Sequence, residues 1–249
     1  MTDGPAVVAR GEGWLVAYKP AGVLLDADPS AEADTFRSAL AASLGIPFTG
    51  CHPHTRIDRP VAGLTLWSLE RPARQALVAA TRDGRLRKLY LALVAGPGAP
   101  AAGTTELQRE PRGSPWRTRA GRPLPRPPRT RVTRLAECGR TTLLAAGITA
   151  GKWHQIRLHL AGAGFPVAGD RRHGGTPRLT RSDGAVLAAP VVALECVGIE
   201  LPSGGRATRV LEPPRGFVRQ GAAWVGFAER ELEREALESA WRAVWGGET

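Results

Sequence analysis

The hydrophobic positions of this chain recur with two periods, and each period predicts a different kind of secondary structure. A spacing of two residues, as at Leu64, Leu66 and Ser68, predicts a strand, whereas the spacing of Phe36 and Leu40 predicts a helix. These patterns predict strands at 13–25, broken by a Pro–Gly turn, and at 64–68, 87–95, 131–135, 141–149, 192–200 and 207–211. They predict helices at about 33–44, 71–81, 156–163 and 225–244.

The charge of the chain restricts the class of partner. Lysine and arginine number 34 against 23 acidic residues, which gives a net charge of +11 and a sequence pI near 11.0. A protein this basic is expected to bind polyanions such as RNA, DNA or an anionic membrane surface, and charge alone does not choose among them. Nearly all of the positive charge is arginine, because the only lysines are Lys19, Lys88 and Lys152.

The cysteines, the N-terminus and the histidines predict a soluble cytoplasmic protein without a metal site. Cys51, Cys138 and Cys196 are widely spaced and include no CxxC pair, which is typical of free thiols in a reducing compartment. No stretch approaches the roughly 20 apolar residues of a membrane span, and the first residues do not resemble a secretion signal. His154 and His159 are five positions apart, which is the wrong spacing for an i, i+4 metal pair.

The segment between Arg109 and Arg134 holds nine arginines and six prolines. Proline at this density resists regular structure, so we expect an exposed, extended loop at about 109–130 that leads into a strand near Thr130. Two interpretations of this loop are open. Its arginines would bind phosphates if the loop contacts a nucleic acid, whereas a solvated linker would need no partner.

The last predicted helix, 225–244, also leaves two interpretations open. Leu232, Ala236, Ala240 and Val244 form an apolar stripe, while the other faces are charged. Such a helix is expected either to dock on another surface, including a second copy of the chain, or to lie as a solvated amphipathic end piece. Nothing else in the sequence indicates a protein partner, so we expect a monomer.

A carboxylate between two arginines makes the stretch 54–68 unusual. Asp58 lies between Arg56 and Arg59, shortly before the strand predicted at 64–68. Opposite charges nearby favour the ionised form of a carboxylate, and the strand would hold it at a rigid entrance. Taken alone, these residues fit a surface salt bridge at a loop end better than a catalytic acid.

Four motifs occur in order across about residues 10–215. They are Lys-Pro-Ala-Gly at 19–22, Thr-Arg-Ile-Asp-Arg at 55–59 followed by Gly63 and Leu64, Lys-Leu-Tyr-Leu at 88–91, and Gly-Lys-Trp-His-Gln-Ile-Arg at 151–157 followed by Gly-Asp at 169–170. In order and spacing the motifs resemble those of the RluA-type pseudouridine synthases. The resemblance implies an α+β fold, in which helices flank a long, mainly antiparallel or mixed sheet with a central catalytic cleft.

The resemblance also implies a reaction, the isomerisation of uridine to pseudouridine in structured tRNA or rRNA without a cofactor. Asp58 matches the family's catalytic aspartate. Whether it stabilises charge at C1′, acts as a nucleophile or takes a ribose proton stays open. Arg157 matches the arginine that pairs with this aspartate, and Tyr90 matches the tyrosine that stacks on the uracil. A packed strand aromatic is the common alternative for Tyr90.

Three further residues are predicted to bind the RNA substrate. Arg56 matches a position that fills the space left when the target base leaves its stack. Lys88 shares a strand face with Tyr90, and His154 lies in the fourth motif next to the residues that carry the chemistry.

Three departures from the family pattern indicate a divergent subgroup. Thr55 stands where the family usually has histidine, Val61 and Ala62 replace a hydroxyl pair, and His173 stands before Gly174 where tyrosine is common. These departures surround the predicted chemistry without removing its three main residues.

The predicted organisation is an N-terminal tail at 1–9, a catalytic domain at 10–217 and a C-terminal helical extension at 218–249. The competing functional hypothesis is a non-catalytic RNA-binding protein with the same fold. The joint presence of Asp58, Tyr90 and Arg157 favours the enzyme, because RNA binding alone would need none of them.

Overall fold

A computed structural model describes residues 5–26, 35–95, 104–107, 128–226 and 233–246 of the chain. Its strands are β1 Ala6–Gly11, β2 Trp14–Lys19, β3 His52–Pro53, β4 Ala62–Ser68, β5 Arg87–Ala95, β6 Thr104–Leu107, β7 Thr130–Cys138, β8 Thr141–Ile148, β9 Arg178–Thr180, β10 Val186–Ala188, β11 Leu194–Ser203 and β12 Arg206–Leu211. Its helices are α1 Phe36–Leu44, α2 Arg71–Arg82, α3 Gln155–Gly162, α4 Phe217–Trp224 and α5 Arg234–Trp245.

Ten of these strands form one large sheet. Its order is β1-β2-β4-β11-β5-β8-β7-β6, with β3 paired to β4 and β12 paired to β11, while β9 and β10 form a separate hairpin. Among the described strands, the pairing of β4 with β11 is parallel and the other pairings are antiparallel. This mixed sheet with its helices confirms the predicted α+β architecture.

Strand β4 lies in the middle of the large sheet and is buried along its whole length. Its period of two therefore separates two apolar faces rather than a buried face from a solvated one. Leu66 belongs to the same core cluster as Leu77 of α2, whereas Trp67 packs against Phe36 of α1 with ring centroids 6.0 Å apart. A residue just before β4 is thus attached to one of the most deeply packed parts of the fold.

Gly63 permits the parallel contact between β4 and β11. Its φ of 116° lies in the region that favours glycine, and a Cβ atom at this position would lie 2.3 Å from the Cys196 carbonyl oxygen. The close approach brings β11, and with it β5, against the strand that follows Asp58.

Helix α1 begins at Phe36 because Thr35 caps it. The Thr35 hydroxyl accepts from the Ser38 backbone N–H at 3.1 Å, and the Ser38 hydroxyl accepts from the Thr35 N–H at 3.0 Å. This reciprocal pair forms a capping box, which satisfies two backbone donors at the helix start. The predicted start at residue 33 lies outside the described residues.

The prediction of a single helix at 225–244 is wrong. Helix α4 ends at Trp224, Gly226 has a φ of 83°, and α5 begins at Arg234. A left-handed glycine just after α4 is a common helix stop. Leu232 of the predicted stripe lies outside the described residues.

Helix α5 belongs to the core, so its interpretation as a solvated end piece is also wrong. Trp241, Val244 and Trp245 are buried, and the helix packs on β7, β8, β11 and β12. A Cβ atom on Gly147 of β8 would lie 2.3 Å from Val244 Cγ1, so the absence of a side chain there allows the close packing. The tryptophans, which the predicted stripe left out, carry much of this contact.

The remaining differences concern short strands and one long segment. Strand β1 was not predicted, and it begins inside the predicted tail 1–9 and pairs with β2. Most of the predicted arginine-rich loop at 109–130 lies outside the described residues, which resume at 128, and β7 begins at Thr130 as expected. None of the described helices is long and apolar enough to cross a membrane.

Candidate active site

The loop 54–61 carries Asp58 to the entrance of β4. The Thr55 hydroxyl accepts a hydrogen bond from the Leu66 backbone N–H at 2.7 Å, and the Ile57 side chain is buried. The loop then closes in a turn, in which Val61 N donates to Asp58 O at 3.0 Å. Together with His54, whose backbone N–H donates to the Leu66 carbonyl at 2.8 Å, Thr55 therefore ties this loop to β4.

Lys19 fastens the same loop from the opposite side. Its side chain is fully buried, and Nζ donates to the carbonyl oxygens of Pro20 at 2.8 Å, Val23 at 2.9 Å and Arg59 at 3.3 Å. Burial lowers the pKa of the Lys19 ammonium to about 8, although the nearby Asp58 charge opposes this shift. The first motif thus supports the second, because its lysine holds the residue that follows Asp58.

Arg157 of α3 reaches Asp58 across 99 positions of sequence. Its Nη1 donates to Asp58 Oδ2 at 2.8 Å, while Nε and Nη2 donate to Asp170 Oδ2 and Oδ1 at 2.6 and 2.7 Å. The side chains of Arg157 and Asp170 are 4% and 1% exposed, whereas Asp58 is 24% exposed. Asp170 therefore fixes the guanidinium inside the protein, and the guanidinium presents its remaining side to a partly open carboxylate.

The charge of Arg157 is preserved in spite of its burial. Burial opposes the charged form, but the hydrogen bonds to Asp170 and Asp58 outweigh this effect, and the pKa of Arg157 is raised. A permanent cation therefore stands behind Asp58.

The prediction that Arg56 and Arg59 are the charge partners of Asp58 is wrong. In the described part of the chain, the ion pair of Asp58 is made with Arg157, while Arg56 is exposed and Arg59 Nε donates to the Gly22 carbonyl at 2.9 Å. The interpretation as a surface salt bridge is wrong as well, because the partner of the carboxylate is buried.

Asp58 and Tyr90 line one small cavity together with Arg56, His154 and Arg157. A second cavity of about 610 Å³ shares Asp58, Arg56, His154 and Arg157 with it and is also lined by Trp153 and Arg172. Tyr90 of β5 is 4% exposed. Burial and the neighbouring Cys196 raise the pKa of its phenol well above the ordinary value, so the hydroxyl stays protonated at neutral pH.

His154 stands between the two cavities in an unusual conformation. Its φ is 52°, the only positive φ outside glycine in the described residues. The ring stacks on Trp153 at 3.8 Å, Nδ1 lies 2.7 Å from His173 Nε2, and Nε2 lies 3.8 Å from Asp58 Oδ2. Burial lowers the pKa of His154 to about 4, so at neutral pH its contact with Asp58 is not an ion pair. A left-handed residue of this kind costs on the order of 1 kcal/mol and is found at functional sites.

His159, the other histidine near this motif, contacts β7 and not the two cavities. His159 Nδ1 lies 2.8 Å from the Thr130 hydroxyl, at the start of β7. Within the described residues, no group of three or more His, Cys, Asp or Glu side chains is placed to hold a metal ion.

Lys88 lies behind the cleft rather than on its surface. It is 2% exposed, and a Cβ atom on Gly151 would lie 2.9 Å from its Nζ, so the ammonium lies directly under the loop before α3. Burial lowers the pKa of Lys88 to about 8. Arg56 and His154 do line both cavities, whereas the substrate-binding role of Lys88 stays a prediction that must act through this loop.

Sequence reasoning missed Asp170 and Lys19 as residues that hold the site. Both lie in the quoted motifs, but their partners follow only from tertiary contacts. One signal was present for Asp170, because it is the only acid between Glu137 and Asp183. A lone acid followed by two arginines in a basic stretch indicates a specific charge partner.

Comparison with known proteins shows which family this chain belongs to. Residues 13–162 match the family model described as RNA pseudouridylate synthase. An uncharacterised RNA pseudouridine synthase of Chloroflexus aurantiacus is 35% identical over 63% of this chain and 50% of its own length. The ribosomal large subunit pseudouridine synthase C of Vibrio parahaemolyticus is 33% identical over 48% of this chain and 38% of its own.

The chain belongs to the RNA pseudouridylate synthase family, in its RluA-type group. It spans half or less of the length of these two curated relatives. A solved structure titled Human RNA Pseudouridylate Synthase Domain Containing 1 covers 97% of this chain and 96% of its own with a TM-score of 0.66 at 18% identity, which supports the fold.

Proposed function

We propose that this protein is an RNA pseudouridine synthase that isomerises a uridine in structured tRNA or rRNA, with Asp58 as its catalytic carboxylate. The observation that carries the proposal is the ion pair of Asp58 with Arg157. The Arg157 guanidinium is itself fixed by two hydrogen bonds to the buried Asp170. A carboxylate that is paired with a fixed guanidinium and partly open is suited to covalent or electrostatic catalysis. A protein that only binds RNA needs no such arrangement.

The reaction is balanced within the uridine itself. The C1′–N1 bond breaks, the base turns, a bond forms between C1′ and C5, the C5 proton leaves and N1 gains a proton. In the described part of the chain, Arg157 and His154 both approach Oδ2 of Asp58, which leaves Oδ1 to face C1′. Asp58 then stabilises or bonds to the electron-poor C1′, or takes a ribose proton.

The neighbours of Asp58 have matching roles in this proposal. Tyr90 shares the small cavity with Asp58 and offers its ring to the uracil, with a phenol that stays protonated. Arg157 positions the carboxylate. Arg56 and His154 line the larger cavity, and in this proposal the exposed Arg56 fills the gap that the flipped base leaves in its stack.

The partner and the location complete the proposal. A net charge of +11 and exposed arginines at the cleft favour an RNA over a neutral partner. Ribosomal RNA and tRNA occur in the cytoplasm, so we propose that the protein acts there. We further propose that it acts as a monomer and needs no cofactor.

The test is tritium release from total RNA labelled at uridine C5, prepared from a host strain that lacks this protein. Wild type is expected to release tritium, and Asp58→Asn is expected to lower the rate by at least about a thousandfold. The matched control is Asp183→Asn, an exposed acid that pairs with Arg181 outside the two cavities and is expected to behave as wild type.

Binding of the same RNA separates the two functional hypotheses. Asp58→Asn is expected to bind the RNA about as well as wild type, since the substitution removes no positive charge. RNA binding by both proteins without tritium release from either would instead support the non-catalytic RNA-binding protein.

A further inference from the structure

Trp153 is 51% exposed, although it lines the larger cavity beside Asp58. A tryptophan side chain gains more from burial than almost any other residue, so an exposed one on a cleft wall is suited to a ligand. It belongs to neither hydrophobic cluster of the described core.

The Trp153 indole is held in place by a stacked histidine ring. His154 stacks on it with ring centroids 3.8 Å apart and 13° between the planes. His154 is in turn fixed by its left-handed backbone and by the 2.7 Å hydrogen bond with His173. A ring held this way loses little conformational entropy when a ligand arrives, which strengthens binding.

The charges around Trp153 favour an anionic ligand with flat rings. The Arg172 guanidinium lies 4.8 Å from the indole centroid, and Arg56, Arg59 and Lys152 line the same cavity. An exposed aromatic ring beside cations is the arrangement on which single-stranded nucleic acids stack their bases while the cations meet the phosphates.

We propose that Trp153 forms a second base-binding subsite, which stacks the RNA base next to the target uridine. The inference rests on the proposed function and extends its substrate contacts by one nucleotide. The position of this base follows from the chain itself, because Trp153 immediately precedes His154, whose Nε2 lies 3.8 Å from Asp58 Oδ2. A purine is favoured there, since it offers the larger stacking surface.

The test uses two short RNA stem-loops that differ only beside a single loop uridine. One carries adenines on both sides of the uridine, and the other carries abasic ribose at these positions. Wild type is expected to bind the adenine-flanked RNA about five- to a hundredfold more tightly, the range of one base stacked on an aromatic ring. Trp153→Ala should bring the ratio of the two dissociation constants to about 1, while Trp153→Phe should keep most of it.

A matched control separates the subsite from a general effect of removing an exposed apolar residue. Val186 of β10 is 58% exposed and lines neither cavity, and Val186→Ala should keep the wild-type ratio. An unchanged ratio in Trp153→Ala would overturn the inference, as would an equal loss of affinity for both RNAs or a wild type that does not distinguish or bind them. Tritium release by wild type would still support the proposed function in each of these cases.

Discussion

The buried and the exposed arginines of the cleft have opposite roles. Arg157 is 4% exposed and donates to Asp58 and Asp170, whereas Arg56 is exposed on the cleft wall. Removing a charge from water costs several kcal/mol unless partners replace the water, so a buried arginine needs fixed partners. An exposed arginine carries no such cost and stays free to meet phosphates. The same residue type therefore positions the Asp58 carboxylate inside the protein and, in the proposed function, attracts RNA outside it.

The greatest loss of stability is expected from a substitution on the buried side, at the partner of Arg157. Asp170→Ala leaves Arg157 without its bidentate partner, and we expect the free energy of unfolding to fall by about 3–5 kcal/mol. Urea denaturation measures the change. Asp183→Ala removes an exposed partner of Arg181 and should leave the free energy of unfolding close to that of the wild type. Similar losses in the two variants would contradict the assigned difference between buried and exposed pairs.

Lys88 is a buried cation without an ion-pair partner in the described part of the chain, so its burial should cost stability. Burial lowers its pKa from the ordinary 10.5 to about 8. Between these values the unfolded chain binds more protons than the native protein, so the stability contributed by this residue rises with pH across the window. Below pH 8 the penalty is full and on the order of 3 kcal/mol.

Lys88→Met should therefore raise the free energy of unfolding at neutral pH, and its advantage over wild type should shrink as the pH approaches 10.5. Urea denaturation across this pH range measures the difference. Lys19 has a similar shift but is present in both proteins, so the comparison removes its contribution. A difference that does not depend on pH would show that Lys88 is not a buried charge in solution.

The smallest effect on stability is expected from a substitution of the exposed Arg56. Arg56→Ala should change the free energy of unfolding by less than about 0.5 kcal/mol. It should weaken RNA binding and reduce the slope of log affinity against log salt by about 1, because the cleft loses one positive charge toward the RNA. Arg178 on β9 is also exposed but lines neither cavity, and Arg178→Ala is the control. Equal effects of the two substitutions would mean that the cleft does not bind the RNA backbone.

Local periodicity predicted elements well where the local pattern and the tertiary environment agree. Strand β5 was predicted with its observed bounds, and α2 extends one residue beyond its prediction. The motifs also brought Asp58, Tyr90 and Arg157 to one cavity. Their catalytic roles stay proposals.

Prediction from sequence failed where distant contacts decide the outcome. The arginines next to Asp58 in sequence are not its ion-pair partners in the described residues, because the pairing is set by α3, 99 positions away. The C-terminal helix was predicted as one piece from its apolar stripe and as a solvated end piece from its charged faces. In the structure, Gly147 and Gly198 on the sheet make room for its tryptophans and valine. Such surfaces form only between elements far apart in the chain.

The parallel pairing of β4 with β11 has a consequence for folding kinetics. The two strands are separated by all of the chain from Ser68 to Leu194, and the sheet between them includes β5 and β8. Contacts of such high sequence separation are slow to form, because the closure of a long loop must precede the favourable contacts. The ion pair of Asp58 with Arg157, 99 positions apart, is itself such a contact, so we expect Asp58 to obtain its counterion late in folding.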